Sequence, residues 1–176
     1  MRKYKVLFVD DEEDIIIGIM NAVKNLLSLK HGYDISYSVL KNRKDIENMN
    51  EIAADIVLFD CALGAAALDF GNNDETTFGI ELMRRFRKNN DRTKIIFYSG
   101  RFSMKGSQCY DFTHEEILSL INELHIYKMI PKRAENIADA ILEAINELDA
   151  IIVSLEDLKE EYDSAGEFFV DNNCIL

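Results

Sequence analysis

The sequence predicts an α/β protein built on a five-stranded parallel sheet with helices on both faces. Two observations predict it. Five short apolar runs, each bounded by polar or turn residues, recur along the 176 residues, and helix-periodic segments separate them. Strands that read as continuous apolar runs are buried on both faces, which implies a parallel sheet covered by right-handed crossover helices.

Taken in order, the predicted strands are Lys5–Val9, Ile35–Leu40, Ile56–Phe59, Ile95–Tyr98 and Ile126–Ile130. The helical segments are Ile15–Leu29, Lys44–Ile52, Phe78–Arg87, His114–Leu124 and a fifth from about Asn136. Two connections are longer than a minimal β-then-α unit needs. One, "CALGAAALDFGNNDETT" after Asp60, contains the turn signal "GNND"; the other, "SGRFSMKGSQCYDFT", follows the fourth strand. In a parallel sheet the strand C-termini share one edge and the crevice there holds the site, so both connections leave from the edge where a site is expected.

Composition narrows the class. A chain of this length buries a sizeable core, and with 48% apolar and 30% charged residues it reads as an ordinary soluble protein. No run approaches the 18 or more apolar residues of a membrane span and no secretion signal is evident, so a cytoplasmic location and no membrane partner are expected. Cys61, Cys109 and Cys174 are an odd number without metal-site spacing, which supports neither a disulfide framework nor a zinc site. The net charge of -12 is concentrated at one end: residues 134–176 hold twelve acidic residues against one basic residue, Lys159. Nucleic-acid binding needs a positive face, so no nucleic-acid partner is expected.

The chemistry-bearing residues fall at the strand ends. Strand one runs into Asp10 and Asp11, strand three into Asp60, strand four into Ser99, and strand five is followed by Lys132. Carboxylates crowded within a few Å stay ionised only beside a compensating cation. A divalent metal supplies one, and carboxylate oxygens are the ligands magnesium favours. Asp10 and Asp11 have a second use, as caps of the first helix, and the two uses can coexist. Lys128 is a weaker candidate than Lys132, which follows the last strand.

The acidic pair in "VLFVDDEED", the strand-end aspartate in "DIVLFDCAL", the hydroxyl in "IIFYSG" and the lysine in "KMIPKRA" together resemble a receiver domain of the two-component response regulators, of the stand-alone chemotaxis type. The resemblance covers about residues 3 to 150. It implies a flavodoxin-like (βα)5 fold of strand order 2-1-3-4-5, with residues 1–149 as the receiver and 150–176 as a helical extension and tail. It also implies that Asp60 is the phosphoacceptor, that Ser99 and Lys132 bind the phosphoryl oxygens, and that Mg²⁺ is held by Asp11, Asp60 and the backbone carbonyl of Ala62, with Asp10 acting through water. The implied partners are a histidine kinase or phosphotransfer protein upstream and an unidentified protein downstream. On this reading the chain is not an enzyme beyond its own aspartyl phosphorylation and dephosphorylation. Three departures stand out: Pro131 precedes the lysine instead of following it, Met129 occupies the position where receivers carry a switch aromatic, and the loop after Asp60 is about eleven residues longer than usual.

Two rival readings share these residues. A pseudo-receiver scaffold would keep the fold without being phosphorylated. A haloacid-dehalogenase-like phosphatase would need an Asp-x-Asp nucleophile at strand one, which "DDEED" does not offer.

Helical sequence continues beyond the expected end of the receiver to about Ser164. Ile141, Leu148, Leu155 and Tyr162 recur every seven residues, with Ile137, Ala144, Ile151 and Leu158 at the alternate spacing. A helix of about 28 residues spans roughly 40 Å. Homodimerisation through this helix, folding back, or docking another partner would each bury the stripe, and the heptad spacing favours the first. Only some 25 residues follow the receiver, so no DNA-binding or catalytic output domain is expected in them.

Overall fold

The computed structural model describes residues 3–31, 33–41, 45, 48–49, 52–60, 63, 75–100 and 113–165. Five strands form one sheet: β1 (Lys3–Val9), β2 (Asp34–Leu40), β3 (Ile56–Asp60), β4 (Lys94–Ser99) and β5 (Ile126–Pro131), all pairing in parallel in the order β2-β1-β3-β4-β5. This is the order the resemblance implies. Among the described residues there are four long helices: α1 (Glu13–His31), α2 (Glu75–Asn89), α3 (His114–Leu124) and α4 (Ala134–Ala165).

Side-chain alternation explains the layering. Leu7, Val9, Val57, Phe59, Ile95 and Phe97, all odd-numbered, share one face with Phe78, Leu82, Met83 and Phe86 of α2 and with Leu120 and Leu124 of α3 in one buried cluster. The even-numbered Val6, Phe8, Ile56, Leu58, Ile96 and Tyr98 are equally buried and point the other way. The central strands β1, β3 and β4 are therefore covered on both faces, which is why they read as unbroken apolar runs.

The helix expected over residues 44–52 lies largely outside the described residues. Its described members make two tight turns, from Asn48 N–H to Asp45 O and from Ile52 N–H to Met49 O, and Met49 is buried in the core cluster. The helix expected from Phe78 begins at Glu75. Most of the 61–77 and 100–113 connections lies outside the described residues.

The chain divides into two compact units, Met1–Ala144 and Ile145–Leu176. The first contains the sheet and every residue of the candidate site. The second is helical as far as Ala165.

Candidate functional site

The site starts where β1 ends. The Asp10 N–H donates to Leu40 O at 3.0 Å, so the β1–β2 ladder continues one residue past Val9 and fixes the Asp10 backbone. Its carboxylate then turns back: Oδ1 accepts the Glu12 N–H at 2.8 Å, and Ile16 N–H bonds Glu12 O at 3.1 Å to open α1. Asp10 thus closes a tight Asx-type turn onto the residue before α1 and does not cap the helix's own first amides, the use expected of it, because α1 begins three residues on, at Glu13.

β3 and β4 bring in the next residues by register. Val9 pairs with Phe59, so Asp60 stands beside Asp10 one strand over, and Asp60 pairs with Tyr98 across to β4. Asp10, Asp60 and Ser99 are buried, with 0%, 3% and 1% of their surfaces exposed. β5 supplies the cation. Lys132 N–H donates to Ser99 O at 2.9 Å, extending the β4–β5 ladder past Pro131 and pointing the lysine at the sheet edge.

The Lys132 ammonium meets three carboxylates: Asp10 Oδ2 at 2.7 Å, Asp60 Oδ2 at 2.8 Å and Glu12 Oε2 at 2.6 Å. Burial opposes its charge, but Asp60 and Asp10 outweigh that and hold its pKa above the ordinary lysine value. Burial pushes the Asp10 carboxyl up, against the lowering pull of Lys132, Tyr98 and the Glu12 N–H. Lys128, the weaker candidate, pairs instead with Glu143 at the surface, 2.5 Å away.

Sequence reasoning named Asp10, Asp60, Ser99 and Lys132, and all four meet at this edge. It missed two neighbours. Glu12 joins Asp10 and Asp60 in a group whose ligand oxygens all lie within 4.8 Å of one another. Asp11 is half-buried and is not part of that group. Tyr98, fully buried, donates its hydroxyl proton to Asp10 Oδ2 and places its ring 5.6 Å from the Lys132 ammonium. Burial first, and the Asp10 charge second, raise its phenol well above the ordinary value, so it remains a donor. Tyr98 follows Phe97 in an apolar strand and stands out from it by no local sequence signal; its place in the site comes from its register with Asp60. Ala62 lies outside the described residues.

A solved receiver domain from Methanospirillum hungatei superposes with a TM-score of 0.56 at 17% identity, covering 85% of this chain and 98% of its own. The receiver domain of the response regulator NarL from Mycobacterium tuberculosis gives 0.52 at 16%, with coverage of 81% and 96%. The non-phosphorylated receiver domain of the stress response regulator RcsB from Escherichia coli gives 0.52 at 17%, with coverage of 85% and 95%. The fold is that of a receiver domain. The sequence itself matches no protein-family model and no curated protein.

The donor chemistry of this receiver fold's acidic edge fits a hard divalent cation. Three carboxylate oxygens within reach of one centre suit magnesium, with no sulfur or imidazole among them to favour zinc. One ammonium against three carboxylates also leaves a residual negative charge for such an ion to balance.

Proposed function

We propose that the chain is a phosphoacceptor receiver of a two-component phosphorelay, taking a phosphoryl group on Asp60. The observation that carries this reading is the Lys132 ammonium bridging two buried aspartates, within 2.8 Å of each, at the C-terminal edge of a parallel sheet. A buried carboxylate and a fixed cation are what transfer to an acyl phosphate requires.

In the proposed reaction an Asp60 carboxylate oxygen attacks phosphorus. The phosphorus–nitrogen bond of a phosphohistidine on a kinase or phosphotransfer protein breaks, and its electron pair leaves with the imidazole. Lys132, already at Asp60 Oδ2, pairs with the phosphoryl oxygens, and the Ser99 hydroxyl donates to another of them. Asp10, Glu12 and Asp60, with Asp11 and the Ala62 carbonyl as further candidates, would hold Mg²⁺, which when bound supplies positive charge to offset the phosphoryl oxygens. As the phosphoryl group draws Lys132 and Ser99 inward, a pre-existing equilibrium shifts and a downstream protein reads the altered face. The chain acts on itself and does not turn over a separate substrate. No described helix is long and apolar enough to cross a membrane.

Incubation with Mg²⁺ and acetyl phosphate, followed by mass spectrometry of the peptides, tests the reading. A phosphoryl adduct on Asp60, lost in Asp60→Asn, is the expected result. An adduct on Asp10 would instead indicate phosphatase-type chemistry, and no adduct would indicate a scaffold.

A further inference from the structure

We infer that Tyr98 is a positioning residue for divalent-cation binding, holding the Asp10 carboxylate in place through its hydroxyl. The inference rests on the proposed metal site and names a residue that the receiver resemblance does not include.

An ionised carboxylate offers about four lone-pair positions. Asp10 Oδ1 accepts the Glu12 N–H, and Oδ2 accepts both Lys132 and the Tyr98 hydroxyl. Of these three donors, the Lys132 ammonium is shared with Asp60 and Glu12. The Glu12 amide fixes one oxygen only. Among the described residues, Tyr98 donates its hydroxyl proton to Asp10. Its ring is fully buried and packs edge-on against Phe8, with centroids 6.3 Å apart, and Phe8 in turn meets Tyr37. The backbone is fixed on both sides, by pairing to Asp60 and to Ile130. The hydroxyl is therefore a rigid anchor, set by the core and aimed at one oxygen of the acidic group. Hydrogen-bond partners of this kind orient the carboxylates around metals, and losing one commonly lowers metal affinity tenfold or more.

Titration calorimetry of the full chain with MgCl₂ tests this on wild type and Tyr98→Phe, which keeps the ring and removes the hydroxyl. Mg²⁺ affinity should fall about tenfold in the variant, with the thermal midpoint shifted by only a few degrees. Equal affinity in the two proteins would overturn the role of Tyr98 and leave the metal site standing. A wild type that binds no Mg²⁺ would remove the site and the inference together. Should the variant fail to fold, wild type labelled with ¹³C at the tyrosine ring carbon bearing oxygen decides the matter. One of its seven tyrosine signals should move with the midpoint of Mg²⁺ binding, and seven unmoved signals would overturn the inference.

Discussion

Lys132 is the residue on which the site's stability turns. It is the ammonium beside Asp10 and Asp60, and its side chain is 5% exposed, so removing it leaves two buried carboxylates facing each other across a low-dielectric edge. Lys132→Met should destabilise the metal-free protein by about 3 kcal/mol in urea denaturation, and Mg²⁺ should recover part of the loss. A variant as stable as wild type would show that the carboxylates are not charged together. The pH dependence has a definite sign. The Asp10 carboxyl stands above its ordinary value because of burial, so between the unfolded and folded values the native state holds the extra proton and stability rises as pH falls. Removing Lys132 takes away the strongest opposing pull, so the deficit of Lys132→Met should shrink as pH falls. A deficit that grew with acid would contradict that assignment. At this scale the sequence was legible where chemistry coincided with a strand end, as for Asp10, Asp60, Ser99 and Lys132. Tyr98 and Glu12 were not, because their membership depends on cross-strand register and on a helix's first turn, neither of which spacing along the chain expresses.

Between elements, a capping box starts α3 and Arg87 holds the edge opposite the site. Thr113 accepts the Glu116 N–H at 3.3 Å while the Glu116 carboxylate accepts the Thr113 N–H at 2.7 Å, a reciprocal capping box at the start of α3. Thr113→Ala should cost about 1 kcal/mol in chemical denaturation. The bonds from Thr113 hold the Glu116 carboxyl below its ordinary value of 4.5, so its contribution is present above that pH and is lost as pH falls through the lower folded value. At the other end of α3, the Arg87 guanidinium reaches from α2 to five carbonyls. Nε donates to Leu124 O at 2.8 Å, Nη1 to Asn90, Asp91 and Thr93 at 2.8–2.9 Å, and Nη2 to His125 at 3.2 Å. It thereby ties the turn before β4 to the turn before β5, and those strands deliver Ser99 and Lys132. Arg87→Met should lose about 2 kcal/mol, and Arg87→Lys should recover little, since a point ammonium cannot span the fork. Full recovery by lysine would mean that charge alone matters. The element pattern was the most legible part of the sequence. All five strands lie within two residues of their expected bounds and α3 matches at both ends, because short apolar runs bounded by polar or turn residues and capped helices announce themselves locally. Arg87 did not, because its partners belong to turns brought together by the fold.

For the whole molecule, the open question is what the C-terminal helix does beyond the receiver fold. Ile137, Ile141 and Ala144, the first members of its heptad stripe, are already buried within the first compact unit. Leu148, Ile151, Leu155, Leu158 and Tyr162 remain, fewer than the three or four heptads that sustain an independent coiled coil. The same stretch, residues 145–165, carries seven acidic residues against Lys159 alone. Two copies aligned side by side would bring these rows of like charge together, and salt would screen the repulsion while leaving the apolar contact unaffected. Self-association through this helix should therefore be weak at low ionic strength and strengthen with salt, opposite to an interface held by ion pairs. Sedimentation equilibrium in roughly 20 mM and roughly 500 mM NaCl, across which the screening length falls several-fold, should show the average mass rising at the higher salt. Leu155→Asp should keep it at that of the monomer in both. A wild-type mass that stays monomeric throughout would leave the stripe to a different partner, and one that falls with salt would place the contact on charged surfaces elsewhere in the chain.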